Sequence, residues 1–416
     1  MVFLILTVLE IGAAETTTLT VWNSHSAVNV IPTLNELNKK FEEENPNIKV
    51  EMTTLPWEVI EQKLSVALAS GTQPDVCNLR IGTVRTLGDS GYLAPIDDVV
   101  EFVGEDNFFA GYQSYHKVGE HYYGICQLIS PTVNFYRGDL LEKHGLTIPT
   151  NWEELLDAAK KLNNPPDVYG FAFMTDTDAR LSGFFASNGS YILDEKGEVI
   201  FDSQETREVL NFLKELAEYC PPGVVSYSFP DLSNGLAEGR LAMGYHFMDF
   251  LTDFAKKFPD LIDDLKAGPL VPNEGKEPVS CMFGAGQAIF KGKNIDAAKE
   301  YLKFLLREDN MIYFFHQSGG GWLPPIKSVF NKPEFWEAPP YSTFPNVYKS
   351  IVEATELAKP PLMFLGPVDW AGEVQGSNAI VSAVQQVLGG QEDVDQVVKD
   401  AQKILEEVVV NYKKQQ

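Results

Sequence analysis

The stretch from Tyr123 to Leu162, YGICQLISPTVNFYRGDLLEKHGLTIPTNWEELLDAAKKL, decides the fold. It reads as a strand, a short break, a strand ending in aromatic residues, and then an amphipathic helix with a start signal. Thr150 and Glu153 form a T-x-x-E capping box, in which the threonine oxygen takes a free helix N–H and the glutamate reaches back to the cap. Trp152, Leu155, Leu156, Ala159 and Leu162 then share one helical face, which makes Trp152 a core residue. A chain that leaves a sheet in this manner is passing from one lobe to another.

Outward from that stretch, the chain has 416 residues, too many for one core and suited to two. An apolar content of 44% supplies those cores, so the chain is globular. Its formal net charge of −25 leaves no basic stripe to displace counterions, which excludes nucleic-acid binding and disfavours anionic bilayers. The acidity reads as a solvated surface that keeps the protein soluble and monomeric. Residues 1–14, MVFLILTVLEIGAA, form a short apolar run ending in small residues, as a secretory leader does, although no Lys or Arg precedes it and Glu10 interrupts it. Cys77, Cys126, Cys220 and Cys281 lack the close spacing of a zinc site and are expected as free, buried thiols.

Along the chain the apolar period alternates between two and about 3.6, the mark of an α/β protein. Leu19–Trp22 read as a strand, Leu34, Leu37 and Phe41 as a helix face, Ile48, Val50 and Met52 as a strand, Ile60, Leu64, Ala67 and Leu68 as a helix, and Pro74–Leu79 as a third strand. This is a βαβαβ half. Further on come SGTQPDV at Ser70, GYLAPIDD at Gly91, FFASNGSYILDEKGEVIFDSQETREVL at Phe184, GLAEGRLAMGYHF at Gly235, GAGQAIF at Gly284 and GWLPP at Gly321. Two helices, one with Ile380, Val384 and Val387 and one running from Val394 to Leu405, close the chain. Asp75, in the Pro-Asp pair at a strand entrance, reads as a turn organiser.

The segment NFYRGDLLEKHGL followed by NWEELLDAAKKL, together with those later motifs in that order, resembles the extracellular solute-binding proteins of ABC transporters, family 1, and within them the sugar-binding branch similar to maltose-binding protein. The resemblance implies a two-lobed periplasmic-binding-protein type II fold of α/β class, with a mixed sheet flanked by helices in each lobe and three hinge crossings. On that pattern 15–130 with 288–338 would make the first lobe and 131–287 with 339–416 the second. The crossings would lie near Leu128–Val133, Met282–Ile289 and Phe335–Asn346, with Gly284 and Gly286 letting the backbone bend or approach a ligand. The resemblance implies a secreted receptor that binds a small sugar, works with transmembrane permease subunits and needs no cofactor or metal.

A sugar has apolar C–H faces rimmed by hydroxyls, so its site calls for aromatic walls and for amides, carboxylates or guanidinium groups. Candidates stand where strands end. Trp22, Asn23, Ser24 and His25 follow the first strand, Trp57 the second and Arg80 the third. Gln127 and Ser130 lie at the first crossing, Asn188 and Gly189 in a second-lobe loop, and Tyr245, His246 and Asp249 after the Ala-Met strand. Gly284 sits at the second crossing, Gly321 and Trp322 in the glycine loop, and Trp370 before the last helices. Each has an alternative reading: a lone Trp buries itself in the core, a His or Asp is satisfied locally, and Arg80 pairs with a nearby carboxylate.

Three rival readings stand beside the neutral-sugar receptor. Arg80 and the histidines leave room for an anionic ligand such as a uronide or sugar phosphate. A glycoside hydrolase would need two carboxylates flanking the scissile bond, and no local motif marks such a pair, nor a P-loop, nor an H-E-x-x-H or G-x-S-x-G sequence. Ferric capture by the adjacent Tyr122 and Tyr123 meets the difficulty that neighbouring strand residues point to opposite faces.

Overall fold

The computed structural model describes residues 16–25, 30–359, 370–390 and 393–415, so the leader read at 1–14 lies outside them. The first half alternates as the periodicity predicts. Strand β1 (Thr17–Asn23) leads into helix Val30–Glu44, β2 (Ile48–Thr54), helix Trp57–Ser70 and β3 (Val76–Leu79). Helix Val30–Glu44 buries Val30, Leu34, Leu37 and Phe41 along one stripe. Helix Trp57–Ser70 stops at Gly71, whose φ of 70° is the left-handed conformation that lets its N–H reach back to the last carbonyls. Both β2 and β3 run parallel to β1.

A small hairpin, β4 (Lys117–Val118) and β5 (His121–Tyr122), precedes β6 (Ile125–Arg137), which at 13 residues is twice the ordinary strand length. Its first part, from Ile125 to Thr132, pairs antiparallel with β9 (Ser280–Ile289). From Val133 onward its partners are β7 (Met243–His246) and β8 (Leu265–Gly268). On its other edge β9 holds β3 through Leu79↔Gly286 to Val76↔Ile289, and at its start the short β10 (Ala358–Lys359). The result is one eight-stranded mixed sheet, β2-β1-β3-β9-β6-β7 with β8 on β6 and β10 on β9, carried across both lobes by two long strands.

The last connection runs from the 3-10 helix Pro333–Glu337, whose Phe335 packs on Phe330, to helix Pro345–Glu356, which lies against β8 and β6. In the first lobe Phe41 packs edge-on against Tyr301 and Phe304. In the second, Trp152 stacks on Phe212 at 4.1 Å, and the closing helices Ala379–Leu388 and Val394–Gln415 add Ile380, Val384, Val387, Val398, Ala401 and Leu405 to the same core. Helix Trp152–Leu162 is capped one residue later than the sequence predicts. The cap is Asn151, whose side chain accepts from the Glu154 N–H, while the Glu154 carboxylate takes the Thr150 N–H and hydroxyl. Both T-x-x-E and N-x-x-E fit the text here, and the chain uses the second, with the amide as the better cap. All four cysteines are buried, and none forms a disulfide with another.

Close packing explains one of the two glycines singled out in GAGQAIF. A Cβ on Gly286 would stand 2.3 Å from His116 Nε2, so the imidazole occupies the space a side chain would need. His116, His25 and His246 are all buried, and burial lowers their pKa to about 4, about 4 and about 3 respectively. An unfolded histidine titrates near 6.5, so between that value and about 4 the unfolded chain binds more protons than the folded one. Each of the three therefore contributes stability that is present at neutral pH and lost as pH falls through this window. Asp249, raised by burial to about 6, acts in the opposite sense and offsets part of it. The urea midpoint of the protein is expected to fall as pH is lowered from 7 to 4.5, and a flat profile would contradict the buried neutral state. Gly286→Ala is expected to cost about 1–3 kcal/mol in the same assay at pH 7, as overpacked sites do; a change under about 0.5 kcal/mol would show that the imidazole gives way.

Candidate ligand-binding cleft

One large cavity, about 770 Å³, opens where the two lobes face each other. From the first lobe come His25, Trp57, Ser318, Gly319, Gly321 and Trp322, and from the shared strand β6 come Leu128 and Ser130. Arg180, Phe229, Phe247, Asp249, Thr252, Asp253 and Lys256 complete it from the second lobe. Six of the predicted residues are thus brought together: His25, Trp57, Ser130, Asp249, Gly321 and Trp322.

The aromatic part is built around His25. Its ring lies 6.1 Å from Trp57, edge to face, and 5.6 Å from Trp322. Its backbone is held by Asn23, whose side-chain oxygen accepts the His25 N–H and whose amide donates to the His25 carbonyl. Below, the Ser24 N–H donates to Asn78 Oδ1, and Asn78 Nδ2 donates to Gln127 Oε1 at 3.3 Å. Gln127 sits where the β6–β9 register shifts between Cys126 and Leu128, a bulge that aims it at Asn78 while Leu128 lines the cavity. Asn23 and Gln127 thus hold the floor without lining the cavity.

Trp322 is carried by the turn that follows helix Glu308–Gln317. Leu323 exchanges both backbone hydrogen bonds with Ile129 of β6, and the Ser130 hydroxyl reaches the Gly321 carbonyl. Gly321 faces the second lobe: a Cβ there would be 3.8 Å from that of Asp249. Across the cavity Phe229 and Phe247 lie 5.8 Å apart, with the Arg180 guanidinium 5.2 Å above the Phe229 ring.

Ser233, His246 and Asp249 form a cluster behind that wall. The Ser233 hydroxyl lies 2.7 Å from His246 Nε2 and donates to Asp249 Oδ2 at 2.7 Å. Having given its single proton to the carboxylate, the serine oxygen accepts from an Nε2–H, and His246 Nδ1 is left buried without a partner. A nucleophilic triad needs the reverse, with a bare Nε2 to take the serine proton and an acid on Nδ1. Burial also holds His246 neutral, down to about 3, and raises Asp249 to about 6. The cluster is built to shape the wall and to present a carboxyl group at its edge.

The remaining predicted residues lie elsewhere. Trp22 packs with the helix Trp57–Ser70 side of the first lobe, under Lys63. Arg80 pairs with Glu61 at 2.6 Å and lies 5.5 Å over the Trp57 ring, and it does not line this cavity. Asn188 is fully buried, donating to the Glu205 carbonyl and to Glu208. Tyr245 is a core residue bonded to Thr132 at 2.6 Å, and its hydroxyl fills the space above Gly183. Although His246 belongs to the wall's support, its ring is covered by Phe229 and Phe250. Gly284 pairs with Ile129 inside the sheet. Trp370 rests against Tyr412 and under Lys413 of the last helix. Tyr122 donates to Glu105 while Tyr123 packs on Gly88, so the two phenols diverge. Among the described residues no group of three or more His, Cys, Asp and Glu is placed to hold a metal ion, and no helix is long and apolar enough to cross a membrane.

Sequence reasoning missed Arg180, Phe229, Phe247 and the Thr252–Lys256 edge. Phe229 was findable, since Ser228 and Asp231 form a capping box that fixes it as the first helical residue. Nothing local marks Arg180.

Comparison with known proteins agrees with this architecture. The sugar-binding protein MalE of the phytopathogen Xanthomonas citri superposes with a TM-score of 0.81 over 95% of this chain and 98% of its own, at 20% identity. YcjN of Escherichia coli strain K12, which carries the name of an ABC transporter periplasmic-binding protein, is 25% identical over 397 residues, 90% of this chain and 89% of that protein. The arabinooligosaccharide-binding protein of Halalkalibacterium halodurans is 25% identical over 335 residues, 76% and 74% of the two chains. The model of the bacterial extracellular solute-binding proteins matches residues 27–312, more than half of the sequence, and the chain belongs to that family.

Proposed function

We propose that this chain is a secreted carbohydrate receptor that closes its lobes around a neutral sugar or oligosaccharide and delivers it, as a monomer, to the permease subunits of an ABC transporter. The observation that carries the reading is the cavity with Trp57, His25 and Trp322 on one wall and Phe229 and Phe247 on the other. Flat aromatic faces on both sides suit the C–H faces of a sugar ring, and the polar groups between them suit its hydroxyls. The lobes that move are 15–130 with 288–338 and 131–287 with 339–416. Because the ligand touches both, it binds the closed form more tightly than the open one, and that difference drives closure.

Charge favours a neutral ligand over a uronide or sugar phosphate. Lys256 is paired with Asp253 at 2.8 Å and Arg180 with Asp176, so the cations that line the cavity are already answered by carboxylates. Arg80, the cation that an anionic ligand would have recruited, is held outside by Glu61. Binding without chemistry is supported by the inverted arrangement of Ser233, His246 and Asp249 and by the names of the relatives, which are those of binding proteins.

A thermal-shift series with arabinotriose, maltotriose, glucuronate and glycerol 3-phosphate is expected to raise the melting temperature with a neutral sugar and not with the two anions. The stabilising sugar should be recovered intact by chromatography; its consumption would point to a hydrolase, and stabilisation by an anion alone to the other ligand class. Removing a stacking tryptophan costs about 2 kcal/mol or more, which is over tenfold in affinity. Trp322→Ala is therefore expected to weaken calorimetric binding of that sugar by more than tenfold with the ligand-free melting temperature retained. Unchanged affinity would remove Trp322 from the site.

A further inference from the structure

The loop that carries Trp322 is tied by two residues that do not line the cavity. Tyr341 and Tyr348, both fully buried, stand on the last connection between the lobes, the first just before helix Pro345–Glu356 and the second within it. The Tyr348 hydroxyl donates to the Gly320 carbonyl at 2.8 Å, and the Tyr341 hydroxyl donates to the Trp322 carbonyl at 3.1 Å, with the Phe315 carbonyl a longer second acceptor at 3.4 Å. Their rings pack together at 4.7 Å, and Phe335 closes on Tyr341 at 4.4 Å. At Gly320 the backbone has φ +78°, and a Cβ would stand 2.0 Å from Pro340 Cγ and 2.6 Å from the Tyr348 hydroxyl. No side chain fits there, so the loop lies flat on the crossing.

We propose that Tyr341 and Tyr348 are positioning residues that fix the glycine loop on the third crossing and so aim the Trp322 ring into the cleft. Two consecutive glycines in left-handed backbone, Gly319 and Gly320, make the loop free to take many shapes. The two phenols select one of them. Helix Pro345–Glu356 lies on β8 and β6, so the wall supplied by the first lobe is set by a segment that packs on the second. Any change at that crossing as the lobes rotate reaches the tryptophan through two hydrogen bonds. The inference rests on the sugar-receptor reading only in taking Trp322 as a ligand wall.

The test uses the full chain labelled with 5-fluorotryptophan, with the Trp322 fluorine resonance assigned by its loss in Trp322→Phe. In Tyr348→Phe and Tyr341→Phe each ring is kept and one hydroxyl removed, so the cores stay filled. Without any sugar, the Trp322 resonance is expected to shift or broaden in both variants while that of Trp152, stacked on Phe212 in the second-lobe core, stays in place. An unmoved Trp322 resonance, or equal changes at Trp322 and Trp152, overturns the proposal, the second because it reports general loosening. With arabinotriose as probe, Tyr348→Phe is expected to weaken binding about fivefold, the scale of one hydrogen bond, and to have no further effect in a Trp322→Ala background. Additive losses overturn the proposal. A wild-type protein that ignores arabinotriose contradicts that choice of sugar, and the fluorine result then decides the positioning role by itself.

Discussion

The pairing of β6 with β9 is the constraint on which the molecule depends. β6 is long enough to serve both ends of the one eight-stranded sheet, and it changes partners between Thr132 and Val133 without leaving extended geometry. One buried cluster runs from Phe41 and Tyr301 in the first lobe to Phe135 and Phe250 in the second, and the lobes are joined besides by a ladder of backbone hydrogen bonds that cannot be slid by one residue without turning every side chain to the wrong face. In the proposed closure this ladder would act as the hinge, bending in a few torsions while the packing on either side stays in place. It also decides where the cleft floor must be, since Leu128 and Ser130 line the cavity from the strand that joins the lobes.

From that floor the division of labour among polar and aromatic residues follows. Amides near the hinge are used to satisfy buried backbone and one another: Asn23 clamps His25, and Asn78 bridges Ser24 and Gln127. A buried amide left open would cost about 1–3 kcal/mol, so the amides of the floor bond before a ligand arrives, whereas Ser24 Oγ and His25 Nε2 stay buried without a partner. The rings are left to face the cavity. Trp57, His25 and Trp322 meet edge to face or tilted, which leaves ring faces available, and Phe229 and Phe247 answer from the other side. The carboxyl of Asp249 stands at the rim with one oxygen committed to Ser233.

Much of this was legible in the residues because the signals are local. Periodicity marks the first three strands and the helices between them, and the stretch from Tyr123 carries both the hinge strand and the capped helix of the next lobe. The cap itself moved from Thr150 to Asn151, since two overlapping boxes compete within four residues and only the backbone decides between them. Site residues were half legible. Position at strand ends and in loops found His25, Trp57 and Trp322, whose turns open on the cavity, but it also selected Asn188 and Tyr245, which the fold buries, and Trp22, which packs half-buried under Lys63. Position in a strand gives the face of a side chain only when the partners are known, and those lie outside the local pattern, 17 and 20 residues away for Asn188 and 113 for Tyr245. Arg80 illustrates the point: it follows the third strand as foreseen, yet Glu61 on the preceding helix captures it. Arg180 and the Thr252–Lys256 edge carry no local pattern, because tertiary placement alone brings them to the cleft.

The central claim is that a neutral sugar is gripped between two lobes that turn about the β6–β9 ladder. Small-angle X-ray scattering of the protein, alone and saturated with the sugar that stabilises it most, measures this directly. Closure predicts a smaller radius of gyration in the bound state. An identical scattering curve with sugar demonstrably bound would contradict the account, because the ligand would then be held by one lobe alone.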